Sequence, residues 1–181
     1  MKINKTFIED LLIIEPQLYK DDRGFFYESY NKNNLDKVIN IVFVQDNESK
    51  SNKGVVRGLH FQLPPFEQTK LVRCVSGKIL DVAVDLRTNS KTYGKSFSVE
   101  LSCENNKQLF VPKGFAHGFQ VLSEEAIINY KVDEYYNPDS DSGLIWNDKD
   151  LSIEWNLDLK PILSKKDLKL ISFKEFKSPF L

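Results

Sequence analysis

The sequence predicts an all-β protein, an antiparallel sandwich or barrel of the jelly-roll kind with a few short helices. Two observations predict this fold: apolar residues alternate with polar residues in several short runs, and turn residues separate those runs at close intervals. Many short strands joined by tight turns are typical of jelly rolls. The 13 Phe, 7 Tyr and 2 Trp residues also suit a barrel interior.

The clearest alternation falls in three runs of the chain, 96–102, 80–86 and 126–132. In the first run, apolar side chains alternate with serines and a glutamate, which predicts a strand with one face in water. In the second, aliphatic side chains alternate with Asp81, Ala83 and Asp85. In the third, Tyr130 lies on the apolar face. Turn signals separate the runs, at 76–77, 88–90, 105–106, 112–114 and 137–143.

Helix signals are scarce in this chain. The segment 31–39 is a candidate for a short helix, and 165–173 is a candidate for another. Ser164 would be the N-cap of the second helix, with Asp167 three residues later as in a capping box. Neither helix is long enough to change the fold class.

The length of the chain limits the number of domains, and its charge limits the kinds of partner. No repeat, linker or low-complexity tract interrupts the 181 residues, so we predict one domain spanning 1–181 with a single sizeable core. Lys and Arg number 25 against 26 Asp and Glu, and the net charge is −1. This balance predicts no nucleic-acid surface, although it leaves room for a local cationic pocket.

The cysteines and the N-terminus predict a cellular compartment. Cys74 and Cys103 are the only cysteines and lie in apolar, strand-like runs, which does not suit a disulfide framework. The apolar run 11–14 is short and flanked by Asp10 and Glu15, unlike a signal peptide or a membrane span. We therefore expect a cytoplasmic protein with reduced thiols and no membrane association.

The segment 54–70 is the most informative part of the sequence. It places Arg57, His60 and Lys70 on one short strand–loop–strand unit, and the chain has only one other histidine, His117. Two cations and a near-neutral base at this spacing suggest a site for an anionic substrate with a carbonyl group. The alternative is that His60 is an ordinary packed or surface residue.

Strand parity leaves the relation of Arg57 to His60 open. In a regular strand His60 shares a face with Gln62, whereas Arg57 points to the opposite face. Gly58 lies between them, and a glycine inside a strand often marks a bulge or a close approach. A bulge would bring Arg57 and His60 to one face.

Lys70 and Tyr130 each allow two interpretations. Lys70 shares an apolar face with Val72 and Cys74, so it is either an edge residue with its amine in water or a cation directed into a pocket. Tyr130 is either a core residue whose hydroxyl needs one partner or an acid that presents a proton from the barrel wall.

Metal and cofactor motifs are weak or missing. His117 lies between Gly114 and Gly118, a setting suited to a metal ligand, but the chain has no HxH pair and no third histidine. It also lacks GxGxxG, P-loop and GxSxG motifs. We therefore predict no metal and no cofactor, and cofactor-free proton transfer next to a carbonyl as the simplest chemistry.

Six motifs together resemble the dTDP-4-dehydrorhamnose 3,5-epimerase family, whose members have a cupin-type jelly roll and act in deoxysugar nucleotide synthesis. The motifs run in the family's order over roughly 11–167, nearly the whole chain. They read KDDRGFFYESY, FVQDNESKSNKGVVRGLHFQLPP, QTKLVRCVSGKILDVAVDLR, VPKGFAHGFQVLS, NYKVDEYYNPD and LSKKD.

The resemblance implies four catalytic roles. His60 would be the general base that removes the proton next to the C4 ketone, and Lys70 would stabilise the enolate oxygen. Tyr130 would deliver a proton to the opposite ring face. Asp167 would orient His60, although helix capping alone also explains this aspartate.

The resemblance also implies the substrate contacts and the assembly. Arg57 and His117 would line the pocket, with Arg57 near the diphosphate. The remaining nucleotide contacts would come from Gln45 and Asn47 and, across a homodimer interface, from an N-terminal strand with Arg23, Phe26 and Glu28. The implied enzyme is an isomerase that inverts C3 and C5 of dTDP-4-dehydro-6-deoxy-D-glucose to give dTDP-4-dehydro-L-rhamnose, for lipopolysaccharide or capsule.

Three other functions remain open from the sequence. The first is epimerisation at one carbon, or ketoisomerisation, of another nucleotide-linked 4-keto sugar such as a GDP-linked heptose. The second is a metal-dependent cupin, and the third is a sugar-binding module without catalysis. Pocket shape decides the nucleotide and the sugar, and shape is not readable from the motifs.

Overall fold

The computed structural model describes residues 1–181 as thirteen β-strands, one short α-helix and one 3₁₀ turn. The strands are β1 (Lys2–Lys5), β2 (Leu12–Glu15), β3 (Tyr19–Asp21), β4 (Gly24–Phe26), β5 (Gln45–Asn52), β6 (Val56–Gln62), β7 (Lys70–Ser76), β8 (Lys78–Asp85), β9 (Ser96–Ser102), β10 (Gln108–Val111), β11 (Phe115–Val121), β12 (Glu125–Val132) and β13 (Asp141–Gly143). The helix α1 is Lys32–Leu35, and the 3₁₀ turn is Asp167–Lys169.

The strands form two main sheets and one hairpin. A six-stranded sheet has the order β1-β2-β10-β7-β12-β5, and a five-stranded sheet has the order β13-β6-β11-β8-β9. The hairpin β3–β4 stands apart from both. All pairings within the sheets are antiparallel, which confirms the predicted all-β antiparallel class.

Three hydrophobic clusters hold these layers together. The largest fills the space between the two sheets with side chains from both, such as Val72, Ile128 and Phe115. A second covers the outer face of the five-stranded sheet with the segment after β13, including Trp146 and Trp155. The third, smaller cluster packs α1 against β2, β7 and β10. The space between the sheets is therefore mainly apolar, and any polar side chain buried there needs a partner or a function.

Strands β9 and β12 follow the predicted alternation, but β8 departs from it. Leu101 and Ala126 are buried on the apolar faces of their strands, whereas Ser98 is exposed. In β8, by contrast, the polar face is not wet: Asp81 and Asp85 are completely buried. β8 is paired on both sides, with β11 and β9, and both of its faces are covered. Its two aspartates therefore need partners other than water: Asp85 is bonded by Arg87, Ser90 and Thr92 of the following loop, and Asp81 by His117 of β11.

The helices are shorter than predicted. α1 covers only part of the predicted 31–39, with Asn31 as its N-cap. The predicted second helix is reduced to the 3₁₀ turn, although the Asp167 amide does donate to Ser164 Oγ at 3.1 Å as the cap predicts. The helix does not continue because Ile171 forms a bridge with Leu144, which requires extended backbone.

Three further features concern a predicted turn, the cysteines and the helices. Part of the predicted 137–143 turn is in fact β13, which pairs with β6. Both cysteines are free. No helix has the length and apolar character needed to span a lipid bilayer.

Candidate active site

A bulge in β6 places Arg57 and His60 on one face. His60 is opposite His117 on β11, and Arg57 is opposite Phe119. These partners are two positions apart on β11 but three apart on β6, so β6 carries one extra residue. Because His117 and Phe119 share a face, Arg57 and His60 share it too. The bulged alternative, rather than regular parity, is therefore correct.

Gly58 makes this bulge possible. Its φ of +128° is a conformation that other residues rarely adopt. A Cβ at this position would lie 2.6 Å from Gly118 Cα and 2.9 Å from the His117 carbonyl oxygen. The glycine thus provides both the backbone conformation and the close approach of β6 to β11.

The facing sheet contributes Lys70 from β7 and Tyr130 from β12. Tyr130 pairs with Asn47 and Val72, while Val132, two residues on, pairs with Lys70. These residues therefore point between the sheets, towards the face that carries His60. The ammonium group of Lys70 is directed into the interior, since Lys70 is only 9% exposed. The edge-residue interpretation of Lys70 is wrong.

One cavity of about 460 Å³ joins the two walls. His60 lines it from the five-stranded sheet, whereas Lys70 and Tyr130 line it from the six-stranded sheet. Gln45 and Asn47 of β5 line the same cavity, and Gln45 Nε2 donates to Asn47 Oδ1 at 2.8 Å. The structure therefore brings five of the predicted residues into one space.

His60 and Asp167 form a close pair. His60 Nε2 and Asp167 Oδ1 are 2.6 Å apart, and the Asp167 side chain is almost fully buried. Burial acts to raise the pKa of Asp167, but the hydrogen bond and charge of His60, helped by Ser164 and Lys166, hold that pKa below its ordinary value. An ionised carboxylate only accepts hydrogen bonds, so Nε2 carries the proton donated to Asp167. The His60 Nδ1 nitrogen is left for other chemistry.

Lys70 and Tyr130 are both tuned by burial. Burial lowers the pKa of Lys70 to about 8, against the opposing charges of Asp81 and then Asp141. Burial also raises the pKa of Tyr130, against the opposing charge of Arg57. The Tyr130 phenol thus keeps its proton at neutral pH and has a cation nearby to stabilise the phenolate once the proton leaves.

Arg57 and His117 lie beside the cavity rather than in its lining. Arg57 occupies a second recess on the other side of His60, and its Nε donates to Ser51 Oγ at 3.0 Å. His117 is buried, with its Nε2 2.9 Å from Asp81 Oδ1. No group of three or more His, Cys, Asp or Glu side chains is arranged to hold a metal ion.

Three predicted residues are not brought to the cavity within this chain. Arg23 is 90% exposed in its side chain and pairs with Asp21 at 2.6 Å. Phe26 and Glu28 line a separate cavity of about 350 Å³ beneath the β3–β4 hairpin. Any contact of these residues with a His60 cavity requires a second chain.

The structure adds cavity residues that the sequence reasoning missed. Tyr136 donates to Asp141 Oδ2 at 2.8 Å, and Lys166 pairs with the same oxygen. All three line the cavity, together with Gln68. They lie in loops or on a short strand without periodicity. Tyr136, Lys166 and Gln68 fall within three of the six motifs, whereas Asp141 lies outside all of them.

An antiparallel jelly roll with a polar cavity between its sheets is the class to which this chain belongs. More narrowly, it belongs to the dTDP-4-dehydrorhamnose 3,5-epimerase family, whose model matches residues 5–175. The chain is 50% identical over 177 residues to the dTDP-4-dehydrorhamnose 3,5-epimerase of Escherichia coli, covering 97% of this chain and 96% of that protein.

Solved structures agree with this assignment. The crystal structure of dTDP-4-dehydrorhamnose 3,5-epimerase from Elizabethkingia anophelis is similar with a TM-score of 0.92 at 50% identity, covering 96% of this chain and 97% of that one. The Legionella pneumophila dTDP-6-deoxy-D-glucose-3,5-epimerase, in complex with dTDP-4-keto-L-rhamnose, has a TM-score of 0.94 at 45% identity, covering 97% and 94%. These likenesses confirm the cupin-type jelly roll.

Proposed function

We propose that this chain is an isomerase that inverts C3 and C5 of dTDP-4-dehydro-6-deoxy-D-glucose and yields dTDP-4-dehydro-L-rhamnose without a cofactor. One observation carries the proposal: a single cavity is lined by His60 on one sheet and by Lys70 and Tyr130 on the facing sheet. Inversion requires proton removal on one ring face and delivery on the other. A base and an acid on opposing walls provide both.

The first half-reaction removes a proton. His60 Nδ1 takes the proton from the carbon next to the C4 ketone, and the electrons of the C–H bond move into the carbonyl to form an enolate. The Lys70 ammonium stabilises the developing negative charge on oxygen. Asp167 stabilises the imidazolium that forms and fixes which nitrogen faces the substrate, as its 2.6 Å contact with His60 Nε2 supports.

The second half-reaction returns a proton to the other face. Tyr130 donates its phenolic proton to the enolate carbon, the carbonyl re-forms, and the Arg57 charge stabilises the phenolate. Tyr130 then regains a proton from solvent, and His60 releases its own. The same sequence at the second carbon completes the double inversion.

The substrate contacts follow from where the other polar side chains lie. We assign nucleotide and phosphate contacts to Gln45 and Asn47, and diphosphate contact to Arg57. The Legionella relative was solved with dTDP-4-keto-L-rhamnose, which supports a dTDP-linked sugar here. Arg23 is exposed, and Phe26 and Glu28 line a cavity next to the hairpin rather than the His60 cavity. This placement supports a homodimer in which the segment completes the partner's site.

The cellular setting is also a proposal. The two free cysteines fit a reducing cytoplasm. The product would enter the synthesis of a surface polysaccharide such as lipopolysaccharide or capsule.

The test is incubation with dTDP-4-dehydro-6-deoxy-D-glucose in deuterium oxide. We expect deuterium at both C3 and C5 and formation of the inverted sugar, measured by NMR. Exchange at only one carbon would replace the proposal with single-site epimerisation. A panel of other nucleotide-linked 4-keto sugars, including a GDP-linked heptose, tests the nucleotide and the sugar.

Two variants assign the acid and the base. His60→Ala should lower exchange and epimerisation by about 10²–10⁴-fold while the protein stays folded. Tyr130→Phe should keep some deuterium exchange but lose most of the inverted product, because only delivery to the opposite face fails. Tyr93→Phe, at a partly exposed tyrosine packed on Phe173, is the control and should retain activity. An unchanged product yield for Tyr130→Phe would make Tyr130 a core residue.

A further inference from the structure

Asp81 on β8 is a buried carboxylate with one unpaired oxygen. Its side chain is completely buried, and its Oδ1 is 2.9 Å from His117 Nε2. Its Oδ2 is buried and has no hydrogen-bond partner. Leaving a buried acceptor unpaired costs free energy, and the cost is larger for a charged group. An atom of this kind therefore calls for an explanation beyond packing.

Lys70 faces the same interior from the other sheet and is also poorly bonded. An ammonium group has three donors, but Lys70 Nζ makes a single contact, 3.5 Å from the His60 carbonyl oxygen. The carboxylate and the ammonium are opposite charges in one poorly solvated space. Each is the natural compensation for the other, since buried charges persist only when they are balanced.

We propose that Asp81 is a positioning residue of the proposed reaction, and that its negative charge holds Lys70 in the ammonium form that stabilises the enolate. The effect on catalysis rests on the proposed function, whereas the interaction between Asp81 and Lys70 does not. Asp81 itself does not contact the reacting carbons. It acts through Lys70 and, by its hydrogen bond, keeps His117 in place.

Burial and charge oppose each other at Lys70. Burial favours the neutral form of an amine, and even against the opposing charges it lowers the pKa of Lys70 to about 8. Asp81 is the largest charge acting in the opposite direction, and Asp141 is the next. Without Asp81 the pKa would fall further, and a growing fraction of Lys70 would be neutral at physiological pH.

Other titratable groups face this pair from the surrounding strands: His60 on β6, Cys74 on β7, His117 on β11, Tyr130 on β12 and Asp141 on β13. From β9, the residue opposite Asp81 is the apolar Val99. Among these groups Asp141 is the other carboxylate, and it is already bonded to Tyr136 and Lys166. Asp81, by contrast, has a buried oxygen without a partner, so we assign its charge to the stabilisation of the Lys70 ammonium.

The test compares the pH profiles of kcat/KM for the wild type and Asp81→Asn. The wild type should lose activity above about pH 8 as Lys70 is deprotonated. In Asp81→Asn this alkaline limb should move down by about one pH unit, so the variant is about tenfold less active on the limb and approaches the wild type at lower pH. A loss by the same factor at every pH, or an unmoved limb, would overturn the proposal.

Asp141→Asn is the matched control, because it removes the second opposing charge. It should move the alkaline limb less than Asp81→Asn does. A shift as large as that of Asp81→Asn would assign the role to Asp141 and overturn the proposal.

A second measurement uses the unsubstituted protein and does not depend on activity. NMR of carbon-13-labelled lysine and aspartate side chains should show Lys70 titrating near pH 8, with an inflection of the Asp81 carboxyl signal at the same pH. Lys70 titrating without any response from Asp81 would reject the coupling even if Asp81→Asn does not fold. A protein that shows the coupling but epimerises no nucleotide sugar would instead reject only the proposed function.

Discussion

Lys70 shows how burial changes the energetics of a single side chain. A lysine in the unfolded chain keeps its proton up to a pKa near 10.5, whereas the pKa of the buried Lys70 is about 8. Between these values the unfolded state binds more protons than the folded state. The contribution of Lys70 to the free energy of unfolding therefore rises with pH through this window, and below it the buried ammonium is a cost.

Lys70→Met tests both the stability and the catalytic role of this residue. The methionine fills a similar volume but leaves the buried Asp81 without its opposite charge, so the free energy of unfolding should fall. The loss of enolate stabilisation should lower kcat by about 10²–10³-fold. Thermal unfolding and kinetic assays measure the two effects. Lys78→Met, at a partly exposed lysine of β8, is the control that should leave activity unchanged, and an active Lys70→Met enzyme would contradict the assigned role.

Asp167 pairs with His60 and also takes part in the Ser164 cap, and two variants separate these roles. Asp167→Asn keeps the backbone donor to Ser164 Oγ but removes the charge next to His60, so we expect kcat to fall about a hundredfold or more. Ser164→Ala removes the cap and leaves the charge, so it should cost about 1 kcal/mol of stability with activity largely kept. Unchanged activity in Asp167→Asn would mean that Asp167 contributes only to the cap.

The same aspartate makes stability depend on pH. Because the folded-state pKa of Asp167 is below its ordinary value, its contribution is present above the unfolded pKa and is lost as pH falls through the folded value. Denaturant unfolding at acidic and neutral pH should therefore show a smaller pH dependence for Asp167→Asn than for the wild type.

At the scale of the element, the bulge in β6 decides which side chains meet. Its single extra residue changes the parity between Arg57 and His60. Without the bulge, Arg57 and His60 would point to opposite faces of β6. Arg57 could then not bond to Ser51 while His60 pairs with Asp167. The bulge therefore links the residue assigned to the diphosphate with the residue assigned as base.

Gly58→Ala should destabilise the protein and lower its activity. The new Cβ would lie 2.6 Å from Gly118 Cα, and backbone on both sides leaves little room for adjustment. Gly24→Ala is the matched control, because Gly24 has a φ of +127° but no neighbour within 4 Å of its Cβ position. We expect thermal unfolding to show Gly58→Ala about 1–3 kcal/mol less stable than Gly24→Ala. Equal stabilities would show that β6 and β11 separate easily.

The strands differ in how far the sequence predicts them. In β9 and β12 one apolar face is enough to identify the strand and its orientation, and the structure agrees. In β8 the alternation gave no sign that Asp81 and Asp85 are buried. Asp85 is bonded locally by Arg87, two residues further on, whereas Asp81 pairs with His117 of another strand, and a local pattern does not reveal such a tertiary partner.

The site residues also differ in how far the sequence predicts their positions. Gly58 signalled a bulge but not its size, and pairing with β11 was needed to fix the faces. The proximity of His60 to Asp167 depends on a contact between residues 107 positions apart, and only family resemblance suggested it. Tyr136, Asp141 and Lys166 gave no periodic signal, because loop and short-strand positions follow no repeat.

At the scale of the whole molecule, the β3–β4 hairpin is the part with the most uncovered aromatic surface. Phe26 is 68% exposed, and Tyr19 and Phe25 are also exposed. Clustered exposed apolar groups of this kind mark interaction sites. The hairpin also carries Arg23, which the proposed dimer would place in the partner's site.

Subunit mixing tests the shared site. His60→Ala and Arg23→Ala homodimers should each be nearly inactive, and exchange of subunits between them should restore activity, because each heterodimer then contains one site with both residues intact. Arg23→Ala should weaken nucleotide-sugar binding much more than folding, since the Arg23 side chain hydrogen-bonds only to Asp21 within its own chain. A mixture that exchanges subunits and stays inactive would show that each pocket is built within one chain.

The wide separation of His60 and Asp167 along the chain also bears on synthesis. The strands of both sheets end at Gly143, so the barrel is complete in sequence before the aspartate has been added. A chain that ended before residue 167 would therefore leave His60 Nε2 without the carboxylate that pairs with it. The histidine acquires its partner only when the last segment of the chain folds back over the outside of the five-stranded sheet.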